Sequence, residues 1–276
     1  MTEKWVQGEV VSVKHWTDSL YSIKIDAPNV RFTAGQYTKI SLNIDDEDVA
    51  RPYSFVNSPD ESLLEIYSVS VPNGPLSTSL KKLNKGDPIK VGTHGNGFLV
   101  LDEIPIVENI WMLATGTGIG PYLSILKTES SWKRFEKAIL VHAVRFEKEL
   151  TYQETIKELK EKYKDRFIYI TFVSRENSKN SLPGRIPDSI KKGTLQKKVG
   201  IKMLPENTHV MLCGNPDMLR DTTIELKKIG LEKHRRRSPG HITKENYWSE
   251  QSITLLIIFP IFSTSHSTIS PSFRNS

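Results

Sequence analysis

Residues 115–121 read Thr115-Gly116-Thr117-Gly118-Ile119-Gly120-Pro121, between an apolar run at 110–115 and a predicted helix that begins at Pro121. Glycines in a strand-to-helix turn let backbone N–H groups approach a pyrophosphate, and the helix N-terminus favours its negative charge. The run departs from G-x-G-x-x-G because Pro121 stands where the third small residue belongs. A tight turn without a ligand is the alternative, but the flanking strand and helix favour phosphate binding.

The alternation of strand and helix continues beyond this turn. Three further apolar runs predict strands, at residues 138–143, 167–173 and 210–213. Helices are predicted at 151–163, where Thr151 and Glu154 form a capping box, and at 216–230. This alternation predicts a parallel, doubly wound sheet, in which ligands lie at the carboxyl ends of the strands.

The first hundred residues show a different pattern, with short β-branched and aromatic runs separated by turn clusters. Six strands are predicted, at 5–14, 21–25, 36–42, 51–56, 63–71 and 89–91, and one short helix at 76–83. Strands of this length and spacing predict a barrel or a sandwich. We therefore place a domain boundary near residue 101, with a β domain at 1–100 and an α/β domain at 101–248.

The composition is that of a globular protein, with 276 residues, 37% of them hydrophobic and 25% charged. The 38 Lys and Arg outnumber the 32 Asp and Glu, and the net charge of +6 suggests an anionic partner: a phosphorylated cofactor, an acidic protein, a nucleic acid or a membrane surface.

Cys213 is the one cysteine. The chain can therefore form no intrachain disulfide, and it cannot by itself hold an Fe–S cluster, which needs about four ligands. The N-terminus lacks the apolar segment of a secretory signal, so we expect a cytoplasmic protein.

Arginines follow two successive predicted strands. Arg145 comes after the strand at 138–143, Ser174-Arg175 follows the strand at 167–173, and Arg185 lies in the next loop. Guanidinium groups at strand ends suit a 2′-phosphate because they make charge-assisted, bidentate contacts. The acidic residue that NAD binding would favour is absent from the strand end before Arg145. Each arginine could be a solvated surface charge, but two at successive strand ends favour NADP over NAD.

Three further motifs are less informative by themselves. Arg51-Pro52-Tyr53-Ser54 lies in a predicted strand, whose period of two puts Arg51 and Tyr53 on one face and Ser54 on the other. Cys213-Gly214-Asn215-Pro216 joins a strand to a helix, and its cysteine is either a small buried side chain or part of a nicotinamide site. The basic cluster at 233–237 indicates a solvated face, and without interleaved aromatic residues it predicts no nucleic-acid binding. No His or Cys grouping has the spacing of a metal site.

Together, these motifs resemble those of the ferredoxin–NADP reductase family. Arg51-Pro52-Tyr53-Ser54 is similar to the family's R-x-Y-S flavin motif, and Gly74-Pro75-Leu76-Ser77-Thr78 to its flavin pyrophosphate loop. Residues 116–121 and 213–216 resemble its two nicotinamide-dinucleotide loops. The likeness covers residues 3–248 and is greatest to the bacterial ferredoxin/flavodoxin reductases.

The resemblance implies an antiparallel FAD-binding barrel followed by an NADP-binding α/β domain. Tyr53 would pack on the flavin, Ser54 would lie near its reactive nitrogen and Cys213 would shape the nicotinamide pocket, so Ser54 and Cys213 are the implied catalytic residues. The implied FAD contacts are Arg51, Pro52, Tyr53, Ser54, Tyr67, Ser77, Thr78, Thr117, Tyr247 and Trp248. The implied NADP contacts are Gly116, Gly118, Val144, Arg145, Ser174, Arg175, Arg185, Gly214 and Asn215.

An activity is implied as well: hydride passes from NADPH to FAD, and single electrons pass on to ferredoxin or flavodoxin. Both carriers are acidic in most relatives, so basic residues such as the cluster at 234–237 would steer their association. We expect a cytoplasmic monomer with no nucleic-acid partner and no membrane partner. The alternative is a non-catalytic flavin or NADP sensor or docking module, which would bind cofactor without turnover.

The chain departs from the family at its end, since related chains stop at the position of Trp248 and this one continues for 28 residues. The extension contains eight Ser and only two charged residues. Its apolar run at 253–262 is about half the length of a membrane-spanning helix and is interrupted by Pro260, so we expect no membrane anchor. We predict that residues 249–276 form a disordered appendage of altered sequence, of the kind that a frameshift or read-through produces.

Overall fold

A computed structural model describes residues 4–245 of the chain. The first part contains β1 Trp5–His15, β2 Leu20–Asp26, β3 Tyr37–Ile44, β4 Glu47–Ser54, β5 Leu64–Val69, α1 Pro75–Lys81 and β6 Pro88–Gly92. The second part contains β7 Val107–Thr115, α2 Gly120–Lys127, β8 Phe135–Val144, α3 Gln153–Tyr163, β9 Phe167–Val173, β10 Leu182–Pro183, α4 Ile186–Lys191, α5 Thr194–Val199, β11 Thr208–Cys213, α6 Pro216–Lys228 and β12 Ile242–Glu245. Each part forms a six-stranded sheet.

The first sheet is antiparallel, with the strand order β4-β3-β6-β1-β2-β5. Its two edge strands meet just beyond the end of β4, where Phe55 bridges Ile66 and the Val56 N–H donates to the Glu65 carbonyl at 2.8 Å. Buried side chains such as Ile23 fill the interior. The sheet therefore curls into a half-barrel, as the resemblance implied, rather than forming a sandwich.

The second sheet is parallel throughout, with the order β10-β9-β8-β7-β11-β12. Successive side chains of a strand point to opposite faces, so Met112 packs toward α2 and α3 while Leu113 packs toward α4 and α6. The chain runs from β7 outward through β8 and β9 to the edge strand β10, and then crosses back to β11 on the other side of β7. This doubly wound sheet confirms the predicted fold. Its reversal point, where ligands bind in such sheets, lies between the carboxyl ends of β7 and β11.

The two sheets share one apolar core. Val56 and Leu99 of the half-barrel pack in the same cluster as Tyr122 of α2. Polar contacts cross the same interface, since Ser124 Oγ donates to the Asn57 carbonyl at 2.6 Å. This shared core fixes how the sheets lie against each other. The predicted domain boundary near residue 101 falls between β6 and β7 and stays a prediction.

Helix α3 begins later than predicted. It starts at Gln153, and Tyr152 precedes it with a left-handed φ of 59°. The Thr151 hydroxyl donates to the Tyr67 hydroxyl at 3.0 Å, and no side-chain hydrogen bond caps the helix. The predicted capping box of Thr151 and Glu154 is therefore wrong, because the Thr151 side chain bonds across the interface instead.

Two sets of predictions fall beyond the described part of the chain. Tyr247 and Trp248, expected to contact FAD, and the predicted appendage at 249–276 all lie outside the described residues. Within residues 4–245, we find no helix with the length and apolar character that crossing a bilayer requires.

Candidate functional site

Two loops form the reversal point of the parallel sheet. The first glycine loop, residues 115–120, follows β7, and the second glycine loop, residues 213–216, follows β11. The Asn215 N–H donates to Thr115 Oγ1 at 2.8 Å, which ties the two loops together. The Asn215 side chain in turn caps α6, accepting the Asp217 N–H at 2.9 Å. The start of α6 is thus fixed relative to the end of β7.

Two of the glycines in these loops, Gly118 and Gly214, are required by close packing. A Cβ atom on Gly118 would lie 2.6 Å from the Cys213 carbonyl oxygen, and one on Gly214 would collide with Thr115 Oγ1. Gly116 has open space around it but a left-handed φ of 52°, which a residue with a Cβ adopts at a cost. The loops therefore contact each other backbone to backbone.

A cleft of about 720 Å³ opens at these loops, between the carboxyl ends of the parallel strands and residues 69–72 of the half-barrel. Its walls carry predicted site residues from several separate segments. They are Gly116, Thr117, Val144, Arg145, Ser174, Arg175, Arg185 and Asn215. Residues that are distant in sequence thus meet at the edge where doubly wound sheets bind their ligands.

Three exposed arginines of the cleft, Arg145, Arg175 and Arg185, form what we call the arginine rim. Among the described residues, none of their guanidinium groups has an ion-pair or hydrogen-bond partner. Their loops are held side by side, since the Arg175 N–H donates to the Arg145 carbonyl at 2.9 Å and Ser174 Oγ donates to the Val144 carbonyl at 3.2 Å. The rim thus presents three positive charges that no described side chain neutralises.

The acidic residues of the cleft, in contrast, already have partners. Glu149 accepts two backbone N–H groups, including that of Arg145 at 2.9 Å, and so holds the loop after β8. Asp217 and Asp221 both pair with Arg220, at 2.7 and 3.0 Å. The cleft is therefore suited to an anionic ligand that places a phosphate at the arginine rim.

The motif Arg51-Pro52-Tyr53-Ser54 forms the end of β4. Arg51 is exposed, whereas Tyr53 and Ser54 are half-buried. Burial raises the pKa of the Tyr53 hydroxyl well above its ordinary value, so this group is neutral at physiological pH. Helix α1 lies against β3 and β4, and the loop that begins this helix therefore lies on the same side of the half-barrel as the motif.

Residues 74–78, at the start of α1, are fixed by hydrogen bonds to Val71 and to Tyr21. Ser77 Oγ accepts the Val71 N–H at 3.1 Å and donates to the Gly74 carbonyl at 3.2 Å. The Tyr21 hydroxyl donates to the Ser77 carbonyl at 2.8 Å, and burial raises the pKa of Tyr21 to about 12. Because Val71 lines the cleft, this loop connects the half-barrel to the cleft wall.

Comparison with known proteins identifies the family. Residues 9–97 match an oxidoreductase FAD-binding domain and residues 112–223 an oxidoreductase NAD-binding domain. The chain is 50% identical over 245 residues to the flavodoxin/ferredoxin–NADP reductase of Escherichia coli K12, a match that covers 88% of this chain and 99% of that one. The chain belongs to the ferredoxin–NADP reductase family. It is also 35% identical over 252 residues to the ferredoxin–NADP reductase of Pseudomonas aeruginosa, covering 88% and 97% of the two chains.

A solved structure supports the same family. The chain superposes on a ferredoxin NADP+ reductase from Neisseria gonorrhoeae with bound FAD and NADP, with a TM-score of 0.84 and 33% identity. The superposition covers 89% of this reductase and 99% of that chain.

Several predicted contact residues of this reductase lie away from the cleft walls. Cys213 is fully buried in the apolar cluster that contains Tyr122, and Tyr67 is buried at the interface, where it receives the bond from Thr151. Gly118 and Gly214 lie within the packed glycine loops. Arg51, Pro52, Tyr53, Ser54, Ser77 and Thr78 lie on the half-barrel. The cofactor contacts of these residues stay predictions.

Two residues near the site were not predicted. His142 on β8 is fully buried, with Nε2 3.0 Å from the Gly116 carbonyl oxygen, and burial lowers its pKa to about 4. Glu245 ends β12 in register with Cys213, and a Cβ on Gly97 of the half-barrel would collide with its carboxylate. A histidine inside an apolar strand gives the pattern of a core residue. Strand β12, which ends at Glu245, has four residues and is too short to show an alternation of apolar and polar side chains. The sequence alone therefore marks neither His142 nor Glu245 as a site residue.

Proposed function

We propose that this reductase transfers electrons between NADPH and ferredoxin or flavodoxin, with FAD as its resident cofactor. The observation that carries this proposal is the cleft at the reversal point, where the two glycine loops lie beside an arginine rim that lacks acidic partners. The names of its relatives, flavodoxin/ferredoxin–NADP reductase and ferredoxin–NADP reductase, support the same activity. A related reductase with bound FAD and NADP supports the two cofactors.

The cleft fits NADP(H). The backbone at Gly116 and Thr117 would face the pyrophosphate, because a glycine turn at a helix start exposes N–H groups to a phosphate. The arginine rim would hold the 2′-phosphate through charge-assisted contacts, which unpaired guanidinium groups can supply without first breaking an ion pair. The other proposed NADP contacts are Gly118, Val144, Ser174, Gly214 and Asn215.

The half-barrel fits FAD. Arg51 is exposed, and among the described residues its guanidinium donates only to the adjacent Ala50 carbonyl, so it can contact the flavin pyrophosphate together with Ser77 and Thr78. Tyr53, neutral and half-buried, would pack on the flavin ring. Bound FAD supplies the hydride and single-electron chemistry. The other proposed FAD contacts are Pro52, Tyr67, Thr117, Tyr247 and Trp248.

We propose Ser54 and Cys213 as the residues that contact the reacting rings. The Ser54 hydroxyl would hydrogen-bond near the reactive nitrogen of the flavin. Cys213 ends β11 and its carbonyl packs against Gly118, so its small side chain would shape the space for the nicotinamide. In this role neither side chain acts as a nucleophile.

The partner would be an acidic electron carrier that docks on basic residues. Within the basic cluster at 233–237, Arg236 is held by Glu103 through bonds of 2.6 and 2.7 Å and stacks over Phe98 at 4.5 Å. Arg235 and Arg237 have no ion-pair partner in the part of the chain that the structure describes, and they would attract acidic groups. We further propose a cytoplasmic monomer without a nucleic-acid or membrane partner. The one cysteine, which is buried and forms no disulfide within the described residues, supports a reducing compartment.

A visible absorption spectrum followed by NADPH titration tests the proposed function. The purified chain should be yellow, should release FAD on denaturation, and should oxidise NADPH much faster than NADH while reducing ferredoxin or flavodoxin. A colourless protein without this activity would contradict the proposal, and cofactor binding without turnover would favour the sensor or docking module. The chain 1–248, measured alongside, reports what residues 249–276 contribute.

A further inference from the structure

A buried histidine forms a hydrogen bond to the backbone of the first glycine loop. His142 lies on β8, fully buried, and its Nε2 is 3.0 Å from the Gly116 carbonyl oxygen. A carbonyl oxygen can only accept a hydrogen bond, so Nε2 must carry the proton of this contact. The contact crosses from β8 to the turn that follows β7, and it is therefore a bond between elements.

The other nitrogen of this ring faces a second polar group. His142 Nδ1 is 3.5 Å from the Tyr169 hydroxyl, which accepts a bond from Gln153 Nε2 at 3.2 Å. Burial lowers the pKa of His142 to about 4, although the bond to the Gly116 carbonyl opposes this shift. The imidazole is thus neutral, with its proton on Nε2 and the Nδ1 lone pair toward Tyr169. These partners select a single tautomer.

The bond to Gly116 also determines where the next N–H group points. The peptide between Gly116 and Thr117 is planar and trans, so its C=O and N–H point in opposite directions. With the carbonyl directed at His142, the Thr117 N–H is directed away from the buried strand. Gly116 and Thr117 both line the cleft. The left-handed φ of Gly116, 52°, allows this orientation.

We propose that His142 is a positioning residue of this reductase: its Nε2–H holds the Gly116 peptide in the orientation that presents the first glycine loop to the pyrophosphate of NADP(H). This inference rests on the proposed function of the cleft. It predicts an effect that is confined to ligands with a pyrophosphate. A ligand that contacts only the arginine rim should not depend on His142.

Binding measurements on the FAD-loaded reductase separate these effects. We compare His142→Leu, which removes the donor, with His142→Gln, whose amide N–H can reach the same carbonyl. His209→Leu is the matched control, because His209 is an equally buried strand histidine whose Nε2 contacts Thr243 at 2.9 Å instead of the loop. The two probes are NADP+ and adenosine 2′-monophosphate, which has the 2′-phosphate and lacks the pyrophosphate.

His142→Leu should weaken NADP+ about tenfold, the effect of one lost hydrogen bond, and leave adenosine 2′-monophosphate within about twofold. His142→Gln and His209→Leu should bind both probes within about twofold of the original chain. The KM for NADPH should rise in His142→Leu with kcat unchanged. Equal weakening of both probes, or no recovery in His142→Gln, would overturn the proposal.

Nitrogen-15 NMR of histidine-labelled protein provides a test that needs no variant. It should show His142 as the neutral Nε2–H tautomer at pH 7, and the Nδ1–H tautomer would refute the positioning role. If the original chain fails to bind NADP+, the proposed function itself fails. If the original chain binds NADP+ and His142→Leu binds it equally well, only the positioning role fails.

Discussion

The guanidinium groups of Arg145 and Arg175 lie in the cleft without an acidic partner, whereas Arg220 on α6 pairs with both Asp217 and Asp221. An unpaired guanidinium is available to a phosphate, and a paired one must first give up its carboxylates. Nucleotide preference should therefore depend on the arginine rim and not on Arg220, although the two partners of Arg220, Asp217 and Asp221, line the same cleft.

Replacing Arg145 or Arg175 by Ala should weaken NADPH binding by about 1.5–3 kcal/mol each, the range for hydrogen bonds to charged groups. NADH should be barely affected, because it lacks the 2′-phosphate. Steady-state KM values for the two nucleotides measure the difference, and Arg220→Ala is the control that should leave their ratio unchanged. Equal losses for both nucleotides would show that these arginines do not bind the 2′-phosphate.

Buried histidines should make the stability of this reductase fall in acid. Burial lowers the pKa of His142 to about 4 and that of His209 to about 3, while an unfolded chain binds the same protons near pH 6.5. Unfolding therefore takes up protons as the pH falls from about 6.5 to about 4. Each histidine should remove about 1.4 kcal/mol of unfolding free energy per pH unit in this window, and its contribution is fully present above it.

Urea unfolding at pH 7 and pH 5 measures this loss of stability. The variant His142→Gln should lose less stability over the same interval, because glutamine does not titrate. An unchanged pH dependence in the variant would mean that His142 is protonated in the folded chain.

The rim arginines could be predicted from sequence and His142 could not, for one physical reason. The end of a parallel strand is marked by the change from apolar to polar residues, so a charge placed there is visible in the sequence. The role proposed for His142 comes from its contact with Gly116, 26 residues earlier in the turn after β7, and this contact cannot be predicted without the strand order.

At the start of α3, the Thr151 side chain does not cap the helix but bonds to another element. The Thr151 hydroxyl bonds to Tyr67 on β5, and the adjacent Tyr152 hydroxyl donates to Glu65 at 2.8 Å. Both bonds join the helix start to the half-barrel. A capping box and an interface bond compete for the same hydroxyl, and here the interface bond forms.

A double-mutant cycle distinguishes the two roles of Thr151. Thr151→Val and Tyr67→Phe should each cost about 1 kcal/mol of unfolding free energy, and the double variant should cost little more than either one, because they remove the same bond. Urea midpoints of the four chains provide the measurement. Additive losses would indicate that Thr151 acts on the helix alone.

Elements with a clear sequence pattern were predicted, including the five-residue β6, whereas four short elements of the second part of the chain were not. Strands β7, β8, β9 and β11 each contain an apolar run of at least four residues, and α3 has a helical pattern. The two-residue β10, the four-residue β12 and the six-residue helices α4 and α5 were missed. Such segments are too short to show a period, and their conformation is set by packing on the sheet.

At the scale of the whole molecule, the apolar core shared by the two sheets should make them unfold together. The cluster that joins Val56 and Leu99 to Tyr122 would be exposed to water if either sheet opened alone. Buried amides of β2 and of β7 should therefore exchange hydrogen with the same opening free energy in urea. Ser124→Ala, which removes a bond across the interface, should lower both values equally. A lower value for one sheet would show that the sheets open independently.

The backbone contact between the two glycine loops has a consequence for redesign of this reductase. No side chain can be added to Gly118 or Gly214 without moving the opposite loop, so the packed glycine loops behind the cleft tolerate almost no variation at these two positions. The rim arginines project from separate loops and can be exchanged one at a time. If the rim binds the 2′-phosphate as proposed, coenzyme choice can be changed without disturbing the packed glycine loops, and an NADH-using variant can be sought by changing the rim alone.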